Sequence, residues 1–493
     1  MFKLKGMLSA GLALFLGCLV AGPALAQDAP IALGHHRELF VDSYLIDQMD
    51  GVSLKLQRPC YAGKALTFDA PWEGRFCGYV TVFHDGDTNR MYYRGMPVVG
   101  KDSSAESVTC YAESPDGIHW KKPDLGLYEV HGTKKNNVTL AHMPPFSHNF
   151  CPFLDSNPKA KKSQRYKALA GTGKSGLHGF VSPDGIHWSP LQKAPLITEG
   201  AFDSQNVSFW STTEGRYVCY FRTWSKGEFS GYRTISRTTS PDFIHWTKPA
   251  PMHFGDTPME HLYTNQTQPY FRAPQIYIAL PMRFMPGRRV LTASQAKSLG
   301  VFVKPGHPGQ GYASDCADTV FMTSRGGMNY DRTFMEAYIR PGADLGNWAS
   351  RAGMAACGIV QTGDTELSIY KQFHYAQPTA YLGRYTLRLD GFTSVNAPYE
   401  GGEFLTKPFT FKGSRLVINF ATSAAGEMEF EFVGPDGTPK SGFTEDDCRP
   451  VIGDQVDREV AWKSGPDVSS LAGKPVRLRV VMRDADLYSI QFR

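Results

Sequence analysis

The amino-acid sequence predicts an all-β protein, a five-bladed β-propeller followed by a C-terminal β-sandwich. The first observation is a repeated phrase, Ser-Pro-Asp-Gly-Ile-His-Trp, which occurs at Ser114–Trp120 and Ser182–Trp188 and returns as Ser240-Pro-Asp-Phe-Ile-His-Trp246. The copies begin 68 and then 58 residues apart. Repeats of this length are typical of propellers, because four short strands need a segment of about this size.

Composition and a change of pattern are the second and third observations. With 49 Gly, 33 Pro and 13% aromatic residues, the chain has the many turns and short strands of an all-β protein. After Pro398 the pattern becomes a clean alternation of polar and apolar residues, as in Glu427–Phe432 and Val476–Met482. Alternation of this kind indicates antiparallel strands with one wet face, and therefore a separate β-sandwich.

Each repeat predicts one blade. The phrase follows an apolar strand and contains a tight turn, and its Trp can pack between neighbouring units. Arg37–Ile46 precedes the first unit, and we expect it to complete or clasp the last blade of a closed ring. The Gly- and Pro-rich segment Pro286–Gly311 interrupts the fourth unit and is interpreted as a functional rim loop. The predicted first strands are Cys77–His84, Asn149–Asp155, Asn206–Ser211, Thr267–Leu280 and Glu366–Gln372.

The first 26 residues are predicted to be an export signal. Lys3 and Lys5 precede the apolar stretch Met7–Val20, and Ala24-Leu-Ala26 is typical of a cleavage site. We therefore expect a secreted or periplasmic protein that does not insert into the membrane once the signal is removed. The predicted divisions are 1–26 for the signal, 27–397 for the propeller and 398–493 for the sandwich.

Charge and cysteine content exclude some functions. A net charge of +5 on 493 residues, with no dense basic stripe, gives no reason to expect nucleic acid as a partner. Eight cysteines follow the signal, and several lie in apolar runs, among them Cys77, Cys110, Cys151 and Cys219. Because no zinc-binding spacing is present, we expect free core thiols, with disulfides as the alternative.

This layout resembles the five-bladed propeller glycosidases of the arabinanase–invertase–levansucrase group. Local phrases are most similar to a little-characterised set of exported bacterial propeller proteins; they are Leu39-Phe-Val-Asp-Ser-Tyr-Leu-Ile46, Pro71-Trp-Glu-Gly74, Tyr263-Thr-Asn265, Arg272-Ala-Pro274 and Asp486-Leu-Tyr488. The resemblance implies cleavage of glycosidic bonds in a poly- or oligosaccharide. The invertase phrases Asn-Asp-Pro-Asn-Gly and Arg-Asp-Pro are absent from the sequence, so no catalytic residue is carried over, and Asp42 is not assigned as the nucleophile.

The repeated phrase also resembles the Asp-box of sialidases, with one residue fewer between Asp and Gly. That resemblance implies a hairpin brace on the outer rim, away from the channel. The acidic and imidazole side chains of the repeat are therefore predicted to be structural; they are Asp116, Asp184, Asp242, His119, His187 and His245.

Candidate site residues are those at the starts of the predicted innermost strands, where the blades of a propeller converge. Glycoside cleavage needs one protonated and one ionised carboxyl group. We hypothesise that Asp203 is a base or orienting group, that Glu366 or Glu260 is the acid, and that Glu73 binds or tunes. The predicted substrate-binding residues are Trp72, Arg75, His148, Asn206, Tyr263, Asn265, Arg283 and His374.

Other readings of the same residues stay open. A sialidase or a polysaccharide lyase is a variant, since Arg94, Arg222 and Arg283 could converge on a carboxylate beside a tyrosine nucleophile. A non-catalytic carbohydrate-binding propeller is the competing class. Two carboxylates about 5 to 9 Å apart would favour hydrolysis, and a carboxylate-poor mouth would favour binding. No cofactor is required, although channel carboxylates could instead hold a structural calcium ion.

Overall fold

The computed structural model describes residues 29–98, 104–227, 229–303 and 311–493. Within these ranges the chain is nearly all β, with one short α-helix at Ala293–Ser298, which confirms the predicted all-β class. The predicted signal at residues 1–26 lies outside the described residues. None of the helices that are described has the length and apolar character needed to cross a membrane.

Three four-stranded antiparallel sheets follow one another along the chain, and each has its strands in sequence order. In each, a copy of the repeated phrase forms a turn directly after the third strand. The strands are Gly78–Asp85, Thr88–Gly95, Val108–Ser114 and Val138–Leu140 in the first sheet; Cys151–Leu154, Tyr166–Thr172, Gly176–Ser182 and Ser189–Pro190 in the second; and Val207–Ser211, Arg216–Trp224, Arg233–Ser240 and Ala250–Pro251 in the third.

The fourth unit is split into two three-stranded sheets. One contains Gln268–Tyr270, Ala273–Ala279 and Met322–Ser324, and the other contains Met282–Met285, Cys316–Val320 and Ala337–Ile339. The predicted rim loop lies between Met285 and Cys316 and carries the α-helix, whose first turn is capped by Thr292. The predicted single strand Thr267–Leu280 is therefore two strands, which pair with each other across a turn at Phe271 and Arg272.

The fifth sheet is closed by a strand from the beginning of the chain. Its strands are Val360–Gly363, Glu366–Phe373, Tyr381–Arg388 and Cys60–Thr67. The expectation that Arg37–Ile46 completes this sheet is wrong, because Cys60–Thr67 pairs with Tyr381–Arg388 in an antiparallel register. The added strand is largely exposed, so it has little of the apolar alternation that reveals a strand in a sequence.

The first strands of these units contact one another in a ring. Gly78–Asp85 contacts Cys151–Leu154, the contacts continue through the third and fourth units, and Val360–Gly363 returns to Gly78–Asp85. A parallel bridge between Thr81 and Cys357 adds to this last contact. Gln266 Nε2 donates to Gln205 Oε1 at 2.8 Å and to the Ala355 carbonyl at 2.7 Å, which links the third, fourth and fifth units near the axis. Apolar clusters fill the spaces between neighbouring sheets.

A further eight-stranded sheet combines both ends of the chain. Its strands are Glu38–Leu39, Ile46–Asp50, Ser53–Leu56, Thr393–Ala397, Gly402–Thr406, Leu416–Val433, Asp454–Glu459 and Arg477–Phe492. Ile31–Gly34 also pairs with Phe409–Phe411, in parallel. The division into domains at 27–397 and 398–493 stays a prediction. Any division of the chain must allow for the pairing of residues 31–56 with the C-terminal strands.

Asp390 joins the ring to the C-terminal sheet. Its buried carboxylate accepts a hydrogen bond from Tyr270 at 2.7 Å and forms ion pairs with Arg37 at 3.2 Å and Arg272 at 3.1 Å. Ser489 and Asn419 of the C-terminal sheet also donate to it. Some of the phrases that carry the family resemblance therefore have a structural role at this junction, and Asp42 likewise pairs with Arg325 at 2.9 Å.

The repeated phrase forms the same hydrogen-bonded turn in all three sheets. In the second copy, Asp184 Oδ1 accepts the backbone N–H groups of Ile186 and His187 at 2.8 Å, and His187 Nδ1 donates to Asp184 Oδ2 at 2.7 Å. Burial acts to raise the pKa of Asp184, but these hydrogen bonds outweigh it and hold the pKa well below its usual value. Tyr92 of the preceding sheet donates to the Gly185 carbonyl at 2.8 Å. The phrase thus braces a turn and a contact between sheets.

We expect Asp184→Ala to lower the free energy of unfolding by about 1 to 2 kcal/mol, because two backbone N–H groups lose their acceptor. His187→Ala should change it by less than about 0.5 kcal/mol, since its side chain is 66% exposed. Unfolding of both variants in guanidinium chloride measures the difference in free energy. Equal losses in the two variants would contradict a turn braced mainly by the carboxylate.

Candidate functional site

Two tyrosines meet at the end of the ring where the innermost strands begin, which we call the channel mouth. The Tyr79 hydroxyl donates to the Asp203 carbonyl at 3.1 Å, and its oxygen is 3.4 Å from that of Tyr263. Tyr79 lies at a register shift between Gly78 and Thr81 and has a φ of +50°. Bulges and left-handed backbone at non-glycine residues are frequent at functional sites, because they aim a side chain that a regular strand would not.

Arginines from three parts of the ring surround these tyrosines. The guanidinium of Arg222 lies 4.7 Å from the centre of the Tyr263 ring, and that of Arg351 lies 5.2 Å from it. Arg94 lies 4.6 Å from the Tyr79 ring and donates to the Phe76 carbonyl at 2.7 Å. We call Tyr79, Arg94, Arg222, Tyr263 and Arg351 the arginine–tyrosine cluster. Arg351 also has left-handed backbone, with a φ of +63°.

The cluster changes the acidity of its two phenols in opposite directions. Burial acts to raise the pKa of Tyr263, but the charges of Arg351 and Arg222 outweigh it and lower the pKa to about 8. Burial, followed by the nearby Tyr263, raises the pKa of Tyr79 well above its usual value. Tyr79 therefore stays protonated, while a fraction of Tyr263 is ionised to the phenolate near neutral pH. Burial and the charge of Arg94 hold the pKa of His148 well below its usual value, so this imidazole is neutral.

Positive charge exceeds negative charge around Tyr263. Arg233, whose guanidinium is 5.9 Å from the Tyr263 ring, joins Arg222 and Arg351 there. Of these three, Arg222 pairs with Asp203, and no ion pair to Arg233 or Arg351 occurs in the part of the chain that the structure describes. Burial and then the charge of Arg222 lower the pKa of Arg233, as expected for like charges held together.

Of the four carboxylates proposed as catalytic, the structure brings Asp203 into this arrangement, and its side chain is 49% exposed. Glu73 is fully buried and accepts hydrogen bonds from Tyr93 and Lys122 at 2.5 and 2.8 Å. Glu260 is held between Arg283 and Arg332 at 2.9 and 3.0 Å. These two carboxylates therefore already have cationic partners that do not belong to the arginine–tyrosine cluster.

The predicted position of Glu366 is wrong. The innermost strand of the fifth sheet is Val360–Gly363, and Glu366 begins the second strand after a tight turn. It pairs with Arg384 and lines a surface pocket with Arg58 and Tyr488, at the opposite end of the ring from the mouth. The apolar run that starts at Glu366 is longer than the four-residue inner strand, so the sequence pattern favoured the wrong strand.

The eight predicted substrate-binding residues also separate into groups. Tyr263 and His148 belong to the mouth, where His148 lies 3.4 Å from Arg94 Nη1. Trp72, Asn206 and Asn265 make hydrogen bonds inside the protein, to Asn137, Phe202 and Tyr220 respectively. Arg283 pairs with Glu260 and Asp318, His374 pairs with Asp344 at 2.6 Å, and Arg75 reaches the Gly300 carbonyl of the rim loop at 3.5 Å.

Tyr79, Arg233 and Arg351 are members of the mouth that the sequence did not reveal. One usable signal was present, because Arg94 and Arg222 both lie near the end of the second strand of their sheets. Arg351 lies in an irregular segment before the fifth sheet and shares no spacing with the other two. Its approach to Tyr263 depends on how the ring closes.

A cavity of about 610 Å³ lies at the opposite end of the inner strands. It is lined mainly by apolar side chains from the ends of those strands, including Phe83, Leu154, Tyr270 and Val360. The arginine–tyrosine cluster does not line it. Among the described residues there is no group of three or more His, Cys, Asp or Glu placed to hold a metal ion, and the calcium ion stays a prediction.

We expect Glu73→Gln to lower the free energy of unfolding by about 3 kcal/mol, because the fully buried partner of the half-buried Lys122 ammonium loses its charge. Its Michaelis constant and turnover on an identified glycan should stay within about twofold of wild type, since Glu73 acts in folding. Lys122→Gln is the matched control and should destabilise the chain as well. A folded Glu73→Gln protein without turnover would restore Glu73 to the candidate catalytic groups.

Comparisons with known proteins give partial structural likenesses. No family model matches the chain, and no curated protein matches it. A structure titled glycoside hydrolase is similar over 66% of this chain and 92% of its own, with 13% identity and a TM-score of 0.43. The catalytic domain of the Coprinopsis cinerea GH62 alpha-L-arabinofuranosidase is similar over 68% and 98%, with 9% identity and a TM-score of 0.40. An N-acetylgalactosamine deacetylase from F. plautii is similar over 74% and 96%, with 12% identity and a TM-score of 0.39.

Proposed function

We propose that this chain is an exported carbohydrate-cleaving enzyme, a five-bladed β-propeller with a C-terminal β-sandwich, that acts on a poly- or oligosaccharide at the channel mouth. The observation that carries the proposal is the phenol of Tyr263. It is 6% exposed, lies between the guanidinium groups of Arg222 and Arg351, and has a pKa of about 8. A buried group tuned in this way is typical of a nucleophile or base.

In this proposal the Tyr263 phenolate attacks the anomeric carbon, so that a sugar–tyrosine bond forms as the glycosidic bond breaks, and the departing oxygen takes its proton from solvent water. A second water then cleaves the sugar–tyrosine bond, which releases the sugar and returns the phenolate. Tyr79 stays protonated, and when Tyr263 is ionised the one hydroxyl proton of Tyr79 turns from the Asp203 carbonyl to the phenolate oxygen, 3.4 Å away. The exposed carboxylate of Asp203 keeps the base or orienting role, acting on the water that releases the bound sugar. The Arg222 side chain fixes the position of Asp203.

A non-catalytic carbohydrate-binding ring is the second candidate. It is favoured by the carboxylate-poor mouth, where Asp203 is the one proposed catalytic carboxylate among the described residues that reaches the cluster. Because one carboxylate and not two is present at the mouth, the proposed mechanism uses a tyrosine nucleophile in place of a second carboxylate. Binding with no turnover would support the second candidate.

The test is a screen of the mature chain against bacterial and algal polysaccharides, with a glycan array in parallel. On a glycan that is cleaved, Tyr263→Phe and Asp203→Asn should each lose turnover, while Glu260→Gln and Glu366→Gln keep it. The proposal fails if Tyr263→Phe and Asp203→Asn both retain full turnover. An unsaturated product would assign the cleavage to lyase-type elimination instead of hydrolysis.

A further inference from the structure

The excess of positive charge at the mouth has a specific consequence for the ligand. Arg222, Arg233 and Arg351 all lie within 6 Å of the Tyr263 ring centre, measured from the guanidinium carbon. Asp203 is the one described carboxylate that pairs with any of them. Like charges held this close in a partly buried site repel one another, so the site gains stability when an anion enters.

The arginines also have hydrogen-bond capacity that the protein does not use. The side chain of Arg222 is 3% exposed, and its Nε and Nη1 atoms are buried without a hydrogen-bond partner among the described residues. The Nε atom of Arg351 is also buried without a hydrogen-bond partner among the described residues. Buried N–H groups are nearly always paired in native proteins, because an unpaired one loses its water without compensation.

The walls of the mouth suit a sugar. Besides Tyr79 and Tyr263, two more aromatic side chains lie at the mouth. The ring of Tyr312 lies 4.9 Å from the guanidinium of Arg351, and the ring of Trp224 lies 4.5 Å from the guanidinium of Arg233. Aromatic rings are the usual apolar surface for a pyranose face, while a planar guanidinium matches a planar carboxylate with two parallel hydrogen bonds.

We propose that the sugar bound at the channel mouth carries a carboxylate, as in a hexuronic acid, and that Arg222 and Arg351 bind this carboxylate. This assignment rests on the proposed function for the location of the site, and it adds the substrate class. Tyr263 then lies next to the charged ring, and the carboxylate takes the guanidinium N–H groups that have no partner within the protein.

Calorimetric titration of the mature chain tests the assignment. The probes are trimers of galacturonate, glucuronate and mannuronate, each compared with its fully methyl-esterified form, together with one sulfated neutral trimer. At least one acid should bind about tenfold more tightly than its ester, since a charge-assisted hydrogen bond is lost on esterification. Using Tyr263→Phe as well as wild type separates binding from turnover.

Variants of the two arginines identify the groups responsible. Arg351→Gln, at a half-buried position, should weaken the acid about tenfold and leave the ester unchanged. Arg222→Gln should do the same. Because Arg222 is buried, Arg222→Lys, which keeps the charge, and a thermal melt separate loss of binding from loss of folding. Arg458→Gln removes the same charge from an exposed position on the C-terminal sheet and should bind like wild type.

The inference is overturned if none of the three acids binds more tightly than its ester, or if the sulfated trimer is preferred to all of them. If an acid binds and no glycan is cleaved, the proposed cleavage fails and this inference stands. If the cleaved glycan proves to be neutral, this inference fails and the proposed cleavage stands.

Discussion

Tyr263→Phe should reduce turnover by on the order of a thousandfold or more, because the substitution removes the reacting oxygen and almost nothing else. The ring still packs against the guanidinium groups of Arg222 and Arg351, so the fold and the binding of substrate should persist. Steady-state kinetics on an identified glycan measure the loss as a fall in kcat. The control is Tyr338→Phe, which removes a buried hydroxyl that has no partner among the described residues.

The same phenol sets the sign of the pH dependence. Attack needs the phenolate, so kcat/KM should be low when the pH is well below 8, rise as Tyr263 loses its proton and level off above about 8. Arg351→Gln removes a positive charge that lowers the pKa of Tyr263, so the rise in kcat/KM should move to higher pH in this variant. A profile of wild type and Arg351→Gln with coincident limbs would remove Tyr263 from the role of nucleophile.

The second large effect is expected for stability. Asp390→Ala should lower the free energy of unfolding by about 3 to 5 kcal/mol, because Arg37 and Arg272 lose the buried charge that both contact. Tyr270 and Ser489 lose a hydrogen-bond acceptor in the same substitution. Chemical denaturation followed by tryptophan fluorescence measures the change.

Asp256→Ala is the matched control for this experiment. Asp256 is exposed, so its removal should alter stability by less than about 0.5 kcal/mol. Asp390→Asn keeps the shape and part of the hydrogen bonding and should fall between the two. If Asp390→Ala unfolds at the same denaturant concentration as Asp256→Ala, the buried carboxylate does not hold the ring to the C-terminal sheet.

The sequence predicted the repeated units well and the mouth poorly. Strands with a buried apolar pattern and a turn signal, such as Gly78–Asp85 and Val207–Ser211, were placed within one residue. Cys60–Thr67 was missed because it is an exposed edge strand, which needs neither alternation nor apolar residues. Val360–Gly363 was missed because a four-residue strand gives less periodic signal than the longer strand after it.

The mouth could be predicted in part. Tyr263, His148 and Asp203 were found because they precede inner strands, and position relative to a strand is readable from sequence. Arg351 and Arg233 approach Tyr263 from different segments, and no spacing along the chain encodes that approach. The electrostatic character of the site therefore depends on how separate units pack around Tyr263, which the carboxylates at strand starts do not indicate.

The pairing of both chain ends in one sheet constrains how this protein matures. Residues 31–56 leave the ribosome well before their strand partners, which lie in residues 393–411 and 477–492. Residues 31–56 must therefore stay without these partners until residues 393–492 have been made and, if the chain is exported, delivered. The eight-stranded sheet therefore forms late, when Arg477–Phe492 pairs with Glu38–Leu39.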